Sequence, residues 1–328
     1  MLTTRFTELV GCSVPIQQAG MGAVAPPELA AAVSEAGGLG MLGTARSGAH
    51  TVAALGALLD KVHALTTRPF GVNFIVTPRN LASTEPECFT LAARAARVVE
   101  FFYGWPEPTL VETVHRHGAL VSWQVGSREE ALAAAEAGCD LVVAQGVEAG
   151  GHVRGTIGLL ALLDEVLEAV EMPVLAAGGI GSGRAMAAAL AAGASGVRVG
   201  TRFVAAEEAN AHPAYVEQLI AARAADTVYT EAFSVGWPDA PHRVLRSCIA
   251  NAAAFPSEEI GECPSLDGTQ ETITRFQCLA VDRGTTGAIE AMSLWAGESV
   301  GGVKRVQPAA EIVRELAGEA EALLRRWS

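Results

Sequence analysis

Lysine is almost missing from this chain. Lys61 and Lys304 are its only two, and the formal net charge is −13 over 328 residues. No Lys/Arg cluster builds a basic face, which excludes a general nucleic-acid binder, because phosphate neutralisation needs one. Closely spaced cysteine pairs are missing too. Cys12, Cys88, Cys139, Cys248, Cys263 and Cys278 form no C-x-x-C motif and sit at no zinc-site spacing with histidine. Reduced thiols and a cytoplasmic location are therefore expected, and no metal site. No apolar core of signal-peptide type follows Met1–Glu8. The uncharged run Leu9–Pro27 is long enough to cross a bilayer, but Pro15, Gln17, Gln18, Pro26 and Pro27 break it, so no membrane helix is expected.

What is there is half hydrophobic and rich in alanine, with 5% aromatic residues. Short apolar runs alternate with helical patterns. The runs are Val14–Gln18, Leu39–Leu42, Phe70–Ile75, Val98–Phe102, Leu120–Gln124, Leu141–Ala144, Val174–Ala177 and Gly196–Val199. Near-continuous apolar runs of this length suit parallel strands buried on both faces. Gly37-Gly38, Gly118, Gly138 and Gly193 stand where helices end, and Ser127 and Ser182 where helices begin. Eight such units predict an α/β fold, a (β/α)8 TIM barrel, with an open doubly wound sheet as the alternative. Alternation stops at about Ala214, beyond which Val228–Val235 and Arg275–Ala280 are strand candidates and the rest reads as helix and loop, with helix over Val244–Ala254 and Thr286–Ala296. The division expected is residues 1–213 and 300–328 as barrel, and 214–299 as a smaller, mainly helical lid. The amphipathic helix Pro308–Arg326 then returns as the eighth outer helix.

Several strand ends carry glycine and polar side chains. Ala144-Gln145-Gly146-Val147-Glu148-Ala149-Gly150-Gly151-His152 is the most informative, because glycine admits a close ligand and histidine exchanges protons near neutrality. Gly178-Gly179 follows the seventh strand and Gly200-Thr201 the eighth, where barrels commonly hold a phosphate. Gly20-Met21-Gly22, Asn73, Gln124 and Gln145 stand at other strand ends. Their amides suit the polar edge of a flat heteroaromatic ring, so a flat phosphorylated cofactor is expected. Gly38-Leu39-Gly40-Met41-Leu42-Gly43 spells G-x-G-x-x-G but contains the strand instead of following it, so it is not a dinucleotide motif. His152 is the candidate acid or base. His212 and His242 are weaker pocket candidates, while His50, His63, His115 and His117 are placed on or beside outer helices. Arg154 either attracts an anionic substrate or faces solvent.

These motifs resemble the nitronate monooxygenase family, formerly 2-nitropropane dioxygenases. The resemblance rests on Pro15 to Gly22, Pro69 to Asn73, Gln145 to His152, Ala176 to Ile180, Gly200 to Phe203 and Trp295-Ala296-Gly297. It implies non-covalent FMN held by Gly20, Met21, Gly22, Asn73, Gln124, Gln145, Gly150, Gly151, Gly178, Gly179, Gly200 and Thr201. It also implies His152 as the catalytic residue. The expected partners are a small-molecule substrate and O2 or NAD(P)H, with no nucleic acid and no membrane. The expected activity is oxidation of alkyl nitronates, and of nitroalkanes as a wider range, to carbonyl compounds and nitrite. The same resemblance takes in FMN-dependent NAD(P)H reductases of enoyl thioesters or quinones. A flavin-free sugar-phosphate isomerase or aldolase is the alternative outside the class. Its Schiff-base form needs a strand-end lysine, and neither lysine stands at one.

Overall fold

A computed structural model describes residues 2–45, 50–264 and 269–326 of the chain. Eight parallel strands form its centre: β1 (Ile16–Gln18), β2 (Gly40–Gly43), β3 (Phe70–Ile75), β4 (Val98–Phe102), β5 (Leu120–Val125), β6 (Leu141–Gln145), β8 (Val174–Ala177) and β9 (Gly196–Val199). The two-residue strand β7 (Gly151–His152) lies outside this sheet. β1 pairs with β9 along its length, and Gln17 bridges to Leu39 beside β2. The bonds Gln18 N to Leu39 O (3.0 Å) and Leu39 N to Ile16 O (2.8 Å) join the first strand to the second, so the sheet closes into a barrel. All eight sequence-predicted strands are present, with ends moved by at most two residues.

Local chemistry sets the helix boundaries. Ser127 Oγ accepts from Glu130 N and Ser182 Oγ from Ala185 N, capping helices 128–136 and 183–191. Gly37, Gly118, Gly138 and Gly193 take φ between 86° and 106°, the left-handed region that lets a chain turn out of a helix into a strand.

Two layers of core follow from strand alternation. Leu39, Met41, Val98, Leu141, Val143, Leu175 and Ala177 fill the barrel, and Phe6 and Val10 of helix Arg5–Val10 pack against them. The outer layer between strands and helices is a single apolar cluster that runs on into Phe233, Ile260, Met292 and Leu294. Helix Ala309–Leu324 buries Ile312, Val313, Leu316 and Ala320 and packs between helices 183–191 and 27–35, the place of an eighth outer helix. A Cβ on Gly183 would lie 2.4 Å from Glu319 Cβ, so glycine there permits that approach.

Residues 214–299 are not mainly helical. They carry five strands: β10 (Thr227–Thr230), β11 (His242–Leu245), β12 (Glu259–Pro264), β13 (Gln270–Thr274) and β14 (Thr286–Gly287). These make two three-stranded sheets, β10-β11-β7 and β13-β12-β14. A helix expected over Thr286–Ala296 is replaced by β14 and a 3-10 turn at Ile289–Ala291. The strand candidate Val228–Val235 overlaps β10, whereas Arg275–Ala280 holds only an isolated bridge from Gln277 to Val235. β13 escapes a hydropathy reading because it is largely exposed. The segment shares its core with the barrel.

Candidate active site

The C-terminal ends of the barrel strands open into a cavity of about 960 Å³. All twelve residues expected to bind cofactor line it, as does His152. The loops after β1, β6, β8 and β9, together with side chains of β3 and β5, therefore meet in one place.

The glycines have distinct jobs. A Cβ on Gly20 would lie 2.5 Å from Asn73 Cβ, and one on Gly150 would lie 2.4 Å from Gly297 N. Those two let neighbouring chain approach. A Cβ on Gly151 would meet nothing within 4 Å, and one on Gly200 would reach only ordinary contact with Ala19 and Met21. Their lack of a side chain leaves room facing a ligand. Gly178 and Gly179 hold φ of 112° and 67°. Residues 297–298 tie down the loops after β6 and β9: Gly297 N donates to Thr201 Oγ1 (3.0 Å) and Glu298 N to Glu148 O (2.9 Å). The Glu148 carboxylate accepts from Leu159 N at 3.0 Å, capping helix Leu159–Ala169, whose N-cap Gly158 has no side chain to do so.

Below the cavity is a polar network that the sequence reading missed. Glu100 of β4 is fully buried and pairs with Arg198 of β9 at 2.7 Å. Glu100 also accepts from Gln17 Nε2 and Asn73 Nδ2, both at 2.9 Å, and from Ser122 Oγ. Arg198 lines the cavity and donates to Gln124 Oε1. Burial pushes the guanidinium below its ordinary range while Glu100 pulls it back up. One acid and one base inside the apolar runs Val98–Phe102 and Gly196–Val199 were the available signal. The network fixes which ends of the amides stay available. Asn73 Nδ2 and Gln124 Oε1 are used, and Gln145 Nε2 donates to His152 O (3.0 Å). Gln145 Oε1 is buried without a partner among the described residues. Two amide oxygens, on Asn73 and Gln145, and the whole NH2 group of Gln124 thus have no partner among the described residues. A flavin's pyrimidine edge carries both C=O and N–H groups, and this set offers donors for the first and acceptors for the second.

His152 sits in an aromatic enclosure. Trp237 stacks on its ring at 4.0 Å and 26°, with Trp295 at 5.3 Å, His242 at 5.6 Å and Tyr103 at 5.9 Å. Trp295 is held by its own Nε1 bond to Leu279 O and by the Tyr215 hydroxyl on its carbonyl. Burial, reinforced by His242, lowers the His152 pKa to about 3, so the ring is neutral at neutral pH. The backbone of β7 pairs antiparallel with β11, His152 opposite His242, which aims the ring.

His242 and His212 do not line the cavity. His242 is buried and bonded through Nδ1 to Ala240 O and through Nε2 to Phe233 N, while His212 caps helix Pro213–Ala221. His50, placed beside an outer helix by the sequence reading, lines the cavity. Arg154 is partly buried and is not among the residues that line the cavity. It pairs with Glu130 at 2.5 Å and donates to Tyr103 O, holding Tyr103 at a φ of 75°. Among the described residues no group of three His, Cys, Asp or Glu side chains could hold a metal, and no helix is long and apolar enough to cross a membrane.

The family model for nitronate monooxygenase matches residues 3–319. The chain belongs to the nitronate monooxygenase family. It is an oxidoreductase, and the family is one of flavoproteins. The nitronate monooxygenase of Pseudomonas aeruginosa is 34% identical over 97% of this chain and 99% of its own. A (3aS,4S,5R,7aS)-5-hydroxy-7a-methyl-1-oxo-octahydro-1H-indene-4-carboxyl-CoA dehydrogenase of Rhodococcus jostii is 36% identical over 85% of this chain and 74% of its own. The solved structure of FabK from Thermotoga maritima superposes with a TM-score of 0.81 at 32% identity, covering 100% of this chain and 99% of that one.

Proposed function

We propose that the chain is an FMN-dependent nitronate monooxygenase that converts alkyl nitronates with O2 into carbonyl compounds and nitrite. The observation that carries this reading is the neutral His152 in an aromatic enclosure, on the same cavity as the unpartnered Gln145 Oε1. Gly20, Met21, Gly22, Asn73, Gln124, Gln145, Gly150 and Gly151 would hold the ring system, and Gly178, Gly179, Gly200 and Thr201 the phosphate. When bound, FMN supplies the two-electron acceptor that O2 regenerates.

The protein's own contribution is electrostatic and steric. Trp237 and Trp295 exclude water beside the reacting carbon. His152 either orients a nitronate oxygen or takes the α-proton of a nitroalkane on a ring nitrogen. Both routes lead to an anion beside this imidazole, and an anion there favours its protonated form. Arg198 offers positive charge at the cavity floor, and Glu100 fixes its place. Residues 214–299 act as the substrate-selecting part, since Trp237, Cys278 and Trp295 come from it. The cytoplasm is the expected compartment.

The rival reading is an FMN-dependent NAD(P)H reductase of an enoyl thioester or quinone. It is favoured by the cavity volume of about 960 Å³, at the upper end for a small-molecule site, which leaves space for a longer substrate. Aerobic incubation of the FMN-loaded protein with propionate 3-nitronate should consume O2 and release nitrite. A yellow protein that releases no nitrite would leave the reductase reading in its place.

A further inference from the structure

Cys278 comes from the segment outside the barrel, yet its Sγ lies 3.6 Å from Nε2 of His152. Both side chains line the cavity. His152 Nδ1, by contrast, has no hydrogen-bond partner among the described residues. A neutral imidazole carries one proton on two nitrogens, so the partner of one nitrogen decides what the other offers.

The other titratable groups facing the ring do not decide it. Tyr103 packs edge-on at 5.9 Å, and burial pushes its phenol up to about 12. Arg154 stands behind Tyr103, paired with Glu130. His242 spends both ring nitrogens on Ala240 O and Phe233 N. Among the described residues, Cys278 alone is within hydrogen-bond distance of a His152 ring nitrogen. A thiol sulfur is a weak acceptor and an imidazole lone pair a strong one, so the favourable arrangement has the S–H donating to Nε2.

We propose that Cys278 is a positioning residue whose thiol donates to His152 Nε2, fixing the ring proton on Nδ1 and offering an N–H to the ligand. This rests on the nitronate reading and narrows its substrate class. An N–H donor suits an oxygen of an anionic nitronate, whose α-proton has already gone. It does not suit proton abstraction from a neutral nitroalkane, which needs a bare nitrogen. The chain should therefore turn over nitronates in preference to the parent nitroalkanes.

Nitrogen-15 NMR of FMN-loaded protein with labelled histidine tests this, with the His152 signals assigned by their loss in His152→Gln. Wild type and Cys278→Ser, which keeps a donor, should show a protonated Nδ1 and a bare Nε2. Cys278→Val, which has none, should show the other tautomer or a mixture; Cys278→Ala repeats the test should valine unsettle the fold. In turnover, Cys278→Val should raise KM for propionate 3-nitronate about tenfold with kcat changed less than about twofold, and Cys278→Ser should restore it. A wild-type ring protonated at Nε2, or a Cys278→Val ring with the wild-type tautomer, overturns the proposal. The NMR result needs no turnover. A protonated Nδ1 in a protein that ignores nitronates would therefore sink the functional reading and leave the tautomer assignment standing.

Discussion

Replacing Glu100 by alanine should be the most damaging single change beneath the site. Glu100 is fully buried and compensates Arg198, whose side chain is 7% exposed. The substitution would leave a guanidinium without its counter-charge and would strip acceptors from Gln17 Nε2 and Asn73 Nδ2. Breaking a buried pair from one side costs about 3–5 kcal/mol. Unfolding entropy of about 2.1 cal/mol/K per residue amounts to roughly 0.7 kcal/mol/K for a chain of 328 residues. The expected fall in Tm is therefore about 4–7 °C, read by calorimetry on protein without added flavin. The double variant Glu100→Met with Arg198→Met removes both charges and should recover most of that loss, because burying an ion pair gains little over apolar packing. A single variant within about 1 kcal/mol of wild type would refute the reasoning. So would a double variant as unstable as the single one.

Arg198→Met alone should weaken FMN binding at least about tenfold, measured by flavin fluorescence, since it removes positive charge at the cavity floor and the partner that orients Gln124; unchanged affinity would remove Arg198 from the site. Gly179→Ala places a Cβ at a φ of 67° and should cost about 1–2 kcal/mol in thermal unfolding. Because the folded pKa of His152 lies below its unfolded value, the unfolded chain binds the proton first as pH falls. The stability from a neutral His152 is thus complete above pH 6.5 and is lost toward pH 3, up to about 2 kcal/mol of it between pH 6.5 and 5. His152→Gln should flatten that part of the pH–stability curve, and a curve of unchanged slope would contradict the burial of the ring. Trp237→Ala should open the enclosure and raise the His152 pKa, followed by NMR titration.

The barrel was legible because parallel strands buried on both faces leave continuous apolar runs, and because glycine follows four of the helices and serine caps two. The cavity-lining positions were legible for a related reason: glycines and amides interrupt the apolar runs at the strand ends. Glu100 and Arg198 were hidden among apolar neighbours, as a charge inside a strand discloses its partner only when the barrel closes. β7 gave no signal, since two residues, Gly151 and His152, show no periodicity. Beyond Ala214, β10 was partly legible as Val228–Val235, while the exposed β13 was missed for want of an apolar face. Cys278 read as one more thiol, and its meaning lies wholly in the 3.6 Å to His152.

Anaerobic mixing of the FMN-loaded protein with propionate 3-nitronate, and separately with NADH or NADPH, tests the central claim most directly. The flavin absorbance should bleach with the nitronate and persist with the nicotinamides. Rapid bleaching by a nicotinamide, with none by the nitronate, would contradict it.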